Sequence, residues 1–391
     1  MKPIGLVTCY FHHNYGSMLQ AYATEMIMQQ MKLPYQTIAC KAPILYMKEN
    51  KILYIIKKLL IADWKMKVGK LKIKYYKKKY PKTFGKNAAL RDLYFDRFAQ
   101  EHFHISPYCK NREELTKMAN NYSALLVGSD QLWRTDSVEH GYYTLEWAPD
   151  SIKKIAYATS IGVKEIPWFQ KKKNRTFMNR FDHIALREKS ACDLVHKLTG
   201  KNVQVVLDPT LLFTGEEWMH IQHKEPLTGG KYIFCYLLGN NPEQRLFIKN
   251  IQKKTNIKIV AFQQLDEYIP SDEGFADEAP YNVGPAEFLN YIRNAEYVFT
   301  DSFHCSVFSI LYKKNFFTFS RFSENAKQST NTRIDNLLNL TGLTRRRISV
   351  SSSIEDILTM PLDYTGVDER LNTLRASSLE YLQNALKDIA V

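Results

Sequence analysis

The segment Asp301-Ser302-Phe303-His304 holds the residues whose types and positions are best suited to chemistry. It follows an apolar, β-rich run that begins at Tyr297, and it precedes an apolar run that continues to Ile310. This order predicts a buried strand, a polar break and a helix. His304 then lies in the first turn of the helix, where free backbone N–H groups and the helix dipole favour anions. Because histidine exchanges protons near neutral pH, His304 is a candidate acid or base; packing or capping of the turn is the alternative.

Two loops in the first half of the chain also end predicted strands. Residues Asn14-Tyr15-Gly16-Ser17 follow the apolar run 4–10. There Gly16 allows a ligand to approach the backbone, and Ser17 is a candidate cap of a helix whose N terminus suits phosphate or carboxylate. Asp130 ends the predicted strand 124–127 and is a candidate base or ligand of a sugar hydroxyl. The alternatives are an ordinary turn at 14–17 and an N-cap role for Asp130.

Two arginines suit anion binding, because the guanidinium presents a planar fork to phosphate or carboxylate. Arg187 follows the predicted strand 183–186, and Arg333 opens a predicted apolar helix. A salt bridge is the alternative for each, with Glu188 or Asp182 as the partner of Arg187 and Asp335 or another carboxylate as the partner of Arg333. The triplet Asp208-Pro209-Thr210 indicates a rigid, structural exit from a strand.

No metal site is expected from the sequence. His12 and His13 are adjacent rather than spaced, and no acidic cluster accompanies them. The six cysteines, at 9, 40, 109, 192, 235 and 305, lack metal-ligand spacing and suggest no disulfide framework. A reducing cytoplasm fits this cysteine usage best.

Strand and helix patterns alternate through the chain in two successive sets, which predicts an α/β fold with two parallel-sheet domains. We expect an N-terminal domain at 1–215 with a basic insertion at about 45–90, and a C-terminal domain at 225–365. Residues 366–391 are predicted to form a C-terminal helix with one apolar face. Proline and glycine residues between 209 and 230 mark the junction.

The composition is that of a globular protein without a membrane span. Of the 391 residues, 45% are hydrophobic and 24% are charged. No apolar run approaches the roughly 20 residues that a transmembrane helix needs, and the chain enters a predicted strand at once, so no signal peptide is expected. We therefore expect a cytoplasmic location.

The net charge of +14 is concentrated in residues 51–90, which contain 13 lysines and one acidic residue. Apolar and aromatic residues are interleaved with these lysines. Such a mixture is typical of a segment that docks on anionic lipid, which would place the protein at the inner face of the plasma membrane. The alternative is a helical insertion packed on the first domain with a solvated basic face. Nucleic acid is not expected as a partner, because no recognised binding module accompanies the charge.

Taken in order, these segments resemble the polysaccharide pyruvyl transferase family. The resemblance covers about residues 4 to 340, and its motifs are these: Asn14-Tyr15-Gly16 with Gln20, Gly128-Ser129-Asp130-Gln131, Tyr157–Gly162, Leu186–Ser190, Asp208-Pro209-Thr210, Asp301-Ser302-Phe303-His304 and Arg333–Leu337. It implies a glycosyltransferase-B-like (GT-B-like) architecture, with two Rossmann-like domains facing a cleft and a C-terminal helix that returns to the first domain. It also implies pyruvyl transfer from phosphoenolpyruvate to a sugar of a cell-surface polysaccharide or its lipid-linked precursor. The product is a ketal, and no cofactor or metal is implied.

The resemblance also implies roles for individual residues. His304 and Asp130 are expected to be catalytic, with His304 on the donor and Asp130 on the acceptor side. The expected donor-binding residues are Arg187, Ser302, Phe303, Arg333, Asn14, Gly16 and Ser17. The expected acceptor-binding residues are Tyr15, Gln131 and Trp133. Phosphoenolpyruvate is expected to bind between the domains, near Arg187 and the His304 helix.

One position departs from the family pattern. Better-characterised members carry an arginine two residues before the histidine, and this chain has Ser302 there. Either Arg333, Arg321 or a lysine replaces that cation, or the donor differs. A nucleotide-sugar-dependent glycosyltransferase of the same architecture is therefore the alternative function, and a non-catalytic polyanion-binding protein built around residues 51–90 is the third.

Overall fold

The computed structural model describes residues 2–47, 64–163, 165–263, 265, 268–322 and 331–389. The chain forms two compact units. The first comprises Met1–Ala62, Glu101–Leu212 and Leu371–Val391, and the second comprises Asp63–Gln100 and Phe213–Arg370. Elements are numbered below in chain order.

The first unit contains a parallel sheet with the strand order β2-β1-β3-β4-β5-β6. The strands are β1 (Ile4–Val7), β2 (Tyr35–Thr37), β3 (Ala124–Val127), β4 (Lys153–Thr159), β5 (His183–Leu186) and β6 (Gln204–Val205). The helices of this unit are α1 (Tyr15–Gln30), α4 (Arg112–Ala119), α5 (Thr135–Val138), α6 (Lys171–Asn179) and α7 (Lys189–Thr199). Every residue of β1 and β3 is buried, as expected for parallel strands covered on both faces, so their sequences are continuously apolar. The strands predicted at 124–127 and 183–186 are confirmed with the same bounds.

The strand order reverses between β1 and β3. The chain passes from β1 to β2 on one side, and β3 then pairs with the opposite side of β1. Ligands of open α/β sheets bind beyond the carboxyl ends of the strands at such a reversal. The loops that follow Val7 and Val127 therefore occupy the expected position of a site.

The second unit repeats this arrangement with the parallel strand order β10-β9-β7-β8. Its strands are β7 (Tyr232–Tyr236), β8 (Lys258–Ala261), β9 (Tyr297–Thr300) and β10 (Asn315–Thr318). The helices that follow the first of these strands are α8 (Pro242–Thr255), α9 (Pro285–Asn294), α10 (Phe303–Leu311), α11 (Thr332–Thr341) and α12 (Ile354–Thr359). The reversal lies between β7 and β9, so the segment after Thr300 is at the equivalent position of this unit.

The last helix, α13 (Val367–Leu386), packs on the first unit, as predicted. The Tyr381 hydroxyl donates a hydrogen bond to the Ala156 carbonyl of β4 at 3.0 Å. The Ser378 hydroxyl accepts one from the backbone N–H of Leu207, also at 3.0 Å. The returning helix thus contacts the first sheet at β4 and just after β6.

The described part of the basic segment, from Trp64 onward, groups with the second unit by its contacts. Its helices are α2 (Trp64–Lys79) and α3 (Lys86–His102). The ring of Tyr76 stacks on that of Tyr268 with centroids 4.6 Å apart, and the Tyr94 carbonyl lies against Gly284. Both partners belong to the second unit and are distant from the segment in sequence. Residues 48–63, which carry part of the predicted membrane-docking segment, lie outside the described residues.

None of the helices in the described ranges is long and apolar enough to cross a membrane.

Candidate functional site

The first turn of α1, which follows the loop after β1, places the hydroxyl of Ser17 at the sheet reversal of the first unit. Asn14 caps α1, because its backbone is extended and its Oδ1 accepts a hydrogen bond from the N–H of Ser17 at 3.1 Å. The prediction that Ser17 caps this helix is therefore wrong. Gly16 lies within the first turn of α1 rather than in a turn of its own. Because Asn14 is the cap, the Ser17 hydroxyl donates instead to Asp130 Oδ2 at 2.7 Å.

A tight turn after β3 presents Asp130 to that serine. Gly128 has φ +139°, and a Cβ at this position would lie 1.9 Å from the Tyr157 carbonyl oxygen, so only glycine fits. Asp130 itself has φ +76°, a left-handed conformation that a non-glycine residue keeps at a cost. It does not cap the next helix, because α5 begins at Thr135 with Arg134 as its N-cap residue. The turn therefore positions a carboxylate whose side chain is 17% exposed.

A buried arginine lies beside this carboxylate. Arg187 Nη2 is 3.6 Å from Asp130 Oδ1, and Arg187 Nη1 donates to Asp208 Oδ2 at 2.6 Å. Burial alone would lower the pKa of Arg187, but the carboxylates of Asp208 and Asp130 outweigh it and raise that pKa. The guanidinium is thus a fixed positive charge beside Asp130.

The carboxylate of Glu188 adds to the charges that raise the pKa of Arg187, and both partners suggested from sequence also make other hydrogen bonds. Glu188 accepts hydrogen bonds from Ser160 Oγ at 2.7 Å and from the N–H of Ile161 at 3.2 Å. Asp182 accepts one from the N–H of Lys154 at 2.8 Å. The predicted donor-anion contact of Arg187 remains a prediction.

Asp208 is a site residue that sequence reasoning took to be merely structural. Besides Arg187, its carboxylate accepts hydrogen bonds from Ser129 Oγ at 2.9 Å and from Thr210 Oγ1 at 2.7 Å. It therefore holds both the residue that precedes Asp130 and the cation beside it. The available signal was a carboxylate at the carboxyl end of a parallel-sheet strand, the same position that singled out Asp130.

Cys9 lies near the same carboxylate but is not suited to nucleophilic chemistry. Burial, reinforced by the negative charge of Asp130, raises the pKa of its thiol far above the ordinary value. The thiol thus stays protonated, and Cys9 packs as an apolar residue.

The predicted acceptor-binding residues differ in their exposure. Trp133 is 1% exposed, packs against Phe177 and Phe181, and donates its Nε1–H to the Tyr143 carbonyl. It belongs to the core, so its predicted contact with an acceptor is withdrawn. Tyr15 is also buried, in the first turn of α1.

Gln131 is half-buried, and its amide lies against Gly162 of the loop after β4. A Cβ on Gly162 would be 3.1 Å from Gln131 Nε2. This glutamine is therefore placed at the same edge of the sheet as Asp130.

In the second unit, the predicted strand, break and helix are confirmed at 297–311. The Ser302 hydroxyl caps α10 by accepting a hydrogen bond from the N–H of Cys305 at 3.4 Å. His304 follows in the first turn, as predicted, and is largely buried. Asp301 accepts hydrogen bonds from the N–H groups of Leu238 and Gly239 at 2.8 and 2.7 Å, which ties the loop after β9 to the loop after β7.

Two arginines approach this segment. The guanidinium carbon of Arg333 is 5.6 Å from the centre of the Phe303 ring, a cation–π distance. Arg321 Nη2 donates to the Asp301 carbonyl at 2.9 Å. Asp335, the suggested salt-bridge partner of Arg333, pairs with Arg347, whose Nε lies 3.0 Å from its carboxylate. The structure thus places two guanidinium groups on the residues that flank Ser302.

Among the described residues, no group of three or more histidine, cysteine, aspartate or glutamate side chains could hold a metal ion.

Comparison with known proteins agrees with the fold. The family model for polysaccharide pyruvyl transferase matches residues 14–323. No curated protein shows significant similarity to the sequence. A crystal structure of UDP-N-acetylglucosamine 2-epimerase is similar with a TM-score of 0.54 and 11% identity, covering 100% of this chain and 96% of that chain. The UDP-GlcNAc 2-epimerase from Neisseria meningitidis bound to UDP-GlcNAc has a TM-score of 0.46 and 10% identity over 98% of this chain and 100% of that chain.

The glycosyltransferase SnogD from Streptomyces nogalater has a TM-score of 0.45 and 7% identity, covering 100% of this chain and 99% of that chain. At these identities the likeness concerns the fold alone. The likeness to the UDP-N-acetylglucosamine 2-epimerase with a TM-score of 0.54 confirms the predicted GT-B-like class, and the two sheets confirm the two parallel-sheet α/β domains.

Proposed function

We propose a donor and an acceptor for this chain, which belongs to the polysaccharide pyruvyl transferase family and is therefore a transferase. The donor is phosphoenolpyruvate, and the acceptor is a sugar of a cell-surface polysaccharide or of its lipid-linked precursor. The product is a cyclic ketal. The observation that carries the proposal is the segment 301–304, where a histidine at the start of α10 is accompanied by Arg321 on Asp301 and Arg333 on Phe303.

The donor role of the second unit follows from the charges of phosphoenolpyruvate. Its phosphate and carboxylate need cations and free N–H groups. Arg333 and Arg321 supply guanidinium groups beside the N terminus of α10, which offsets the serine at position 302. Ser302 and Phe303 complete this surface, and His304 is the proton donor.

The acceptor role of the first unit follows from its carboxylate. The Asp130 carboxylate already accepts a hydrogen bond from a hydroxyl, that of Ser17, at 2.7 Å. A sugar hydroxyl is chemically equivalent to that serine, so Asp130 is suited to orient it and to accept its proton. Gln131 and Tyr15 are the proposed neighbours of the sugar. Asn14, Gly16 and Ser17 form the adjoining turn.

The proposed reaction begins with protonation of phosphoenolpyruvate. His304 gives a proton to the methylene carbon of phosphoenolpyruvate. This carbon becomes a methyl group, and C2 becomes electrophilic. A sugar hydroxyl attacks C2, and Asp130 takes its proton. The bond from C2 to the phosphate oxygen then breaks, a second hydroxyl closes the ring at C2, and phosphate leaves. Of the two hydroxyl protons, one replaces that given by His304 and the other ends on phosphate.

A donor screen tests the proposal against the nucleotide-sugar alternative, which the same fold could support. Calorimetry with phosphoenolpyruvate and with UDP-N-acetylglucosamine is the direct comparison, followed by phosphate release in the presence of sugar acceptors. We expect binding of phosphoenolpyruvate and acceptor-dependent release of phosphate. Binding of the nucleotide sugar alone would establish the glycosyltransferase instead.

We further propose that the protein works in the cytoplasm, on the inner face of the plasma membrane. All six cysteines are free and buried, which suits a reducing compartment. On α2, Leu71 and Tyr75 are exposed among lysines such as Lys72 and Lys78. We expect sedimentation with anionic vesicles but not with neutral ones, weakened by salt. Replacement of the lysines at 77, 78 and 79 by glutamine should weaken it further without changing turnover on a soluble acceptor.

A further inference from the structure

Trp168 is an aromatic side chain that projects into solvent. It is 82% exposed, whereas Trp133, Trp147 and Trp218 are each 2% exposed or less. An isolated exposed apolar residue usually needs no explanation. The residues on both sides of Trp168, however, are held by burial and by hydrogen bonds.

The connection from β4 to α6 ends in a short 3₁₀ helix, Trp168–Gln170, and its described residues are anchored on both sides of residue 164, which lies outside the described residues. At its start, the N–H of Ser160 donates to the Asp130 carbonyl at 2.8 Å, and the Glu188 carboxylate holds Ser160 Oγ at 2.7 Å. At its end, the buried Gln170 donates through Nε2 to the Thr135 carbonyl at 2.8 Å.

Anchors also lie close to the tryptophan itself. The buried side chain of Ile166 is two residues before Trp168, and Gln170 is two residues after it. The same Gln170 Nε2 donates to Glu139 Oε1 at 2.7 Å. Trp168 is therefore exposed between a buried residue and a hydrogen-bonded one.

We propose that Trp168 is a stacking platform for a sugar ring of the glycan acceptor, at a distance from the sugar that receives pyruvate. The inference rests on the proposed function for the identity of the acceptor. An indole presents a flat face to the C–H groups of a pyranose and an N–H donor to its hydroxyls. It supplies this area at a small cost in conformational entropy, since it has two rotatable bonds.

The platform is within reach of the acceptor site. Gly162 of this loop lies against Gln131, the neighbour of Asp130. Trp168 is six positions after Gly162, and six extended residues span at most about 22 Å. A glycan of several sugars can therefore contact Trp168 while its reacting sugar is at Asp130.

A lipid surface is the competing occupant, because tryptophan also enters membrane interfaces. The exposed apolar area favours the glycan, because it is that of a single indole. Phe169 meets Trp168 edge to face and is itself only partly exposed. Membrane insertion would require a broader apolar surface. Lys171 and Lys172, which are exposed three and four residues later, would suit an anionic lipid, so the test includes anionic vesicles.

The test measures oligosaccharide binding without donor. The probes are glucose, galactose and N-acetylglucosamine oligomers, from monosaccharide to hexasaccharide, titrated by calorimetry into the wild-type protein, Trp168→Ala and Trp168→Phe. The control is Leu246→Ala on α8, since that side chain is 60% exposed in the other unit. Trp168→Ala should weaken binding of the longer oligomers by about 10-fold, and Trp168→Phe by less. Monosaccharide binding and the control should be unchanged.

Three results would overturn the platform. Equal oligomer affinity in Trp168→Ala and wild type is one, and failure of the wild type to bind any oligomer is another. The third is loss of binding to phosphatidylglycerol vesicles in Trp168→Ala with oligomer binding intact, which would identify a membrane anchor. Because no donor is present, oligomer binding through Trp168 in a protein that transfers no pyruvate would sustain the platform and refute the proposed function.

Discussion

Glu25 is a buried carboxylate whose ionisation should make the folded protein less stable as the pH rises. It lies on α1 and is 1% exposed. It accepts hydrogen bonds from the Thr37 hydroxyl and from the N–H of His104. These contacts tie the helix to the edge strand β2 and to the segment that pairs with it. Burial raises the pKa of Glu25 from 4.5 to about 7, although the hydrogen bonds work in the opposite direction.

The pKa change sets both the sign and the size of the effect. Between the two pKa values the folded state holds a proton that the unfolded chain has lost. The contribution to stability is therefore complete below about pH 4.5 and is lost as the pH rises through about 7. At about 1.36 kcal/mol for each unit of pKa, the difference between 4.5 and about 7 corresponds to about 3 kcal/mol.

The perturbation is Glu25→Gln, which keeps the shape and the hydrogen-bond acceptor but removes the charge. Urea unfolding followed by circular dichroism, repeated across the pH range, gives the free energy of unfolding. The variant should be more stable than wild type by up to about 3 kcal/mol near pH 8, and the two should converge near pH 4. Glu380→Gln, at an exposed position of α13, is the control and should follow wild type. Parallel curves for wild type and Glu25→Gln, or a variant less stable near pH 8, would show that the pKa of Glu25 is not raised in the folded protein.

Three further substitutions probe the site. His304→Ala should fold normally, as judged by thermal unfolding, but lose at least about 100-fold in the rate of phosphate release; near-normal turnover would remove His304 from catalysis. Asp208→Asn breaks the buried ion pair with Arg187 and should lower the free energy of unfolding, measured by urea titration, by about 3 kcal/mol. The control Asp193→Asn breaks only an exposed ion pair with Lys189 and should lower it by less than about 1 kcal/mol. Arg333→Lys keeps the charge but loses the fork, so the calorimetric affinity for phosphoenolpyruvate should fall; an unchanged affinity would make Arg333 structural.

The fold was predictable because buried parallel strands leave a strong sequence signal. The run at 124–127 is entirely apolar, the run at 297–299 is apolar and aromatic, and both form strands in the structure. The short strand β2, Tyr35–Thr37, was not predicted, because it is a three-residue edge strand with an ordinary composition.

The positions of two site residues were predictable from the sequence, but the buried ion pair beside one of them was not. Asp130 and His304 were identifiable because each follows an apolar strand, and both lie at a sheet reversal. The Arg187–Asp208 pair was not, because its partners come from different strands and only the sheet order brings them together. Trp133 was wrongly placed for the opposite reason: its neighbours Phe177 and Phe181 are far away in sequence, so its burial left no local signal.

The return of the last helix has a consequence for the order in which the protein can fold during synthesis. The first unit uses residues 371–391, which leave the ribosome only after all of the second unit has been made. Until then the Ala156 carbonyl and the N–H of Leu207 lack the hydroxyls of Tyr381 and Ser378. Domains of a nascent chain ordinarily fold in order from the N terminus. Here the second unit can be complete first, and the unit that contains Asp130 must wait for the last part of the chain.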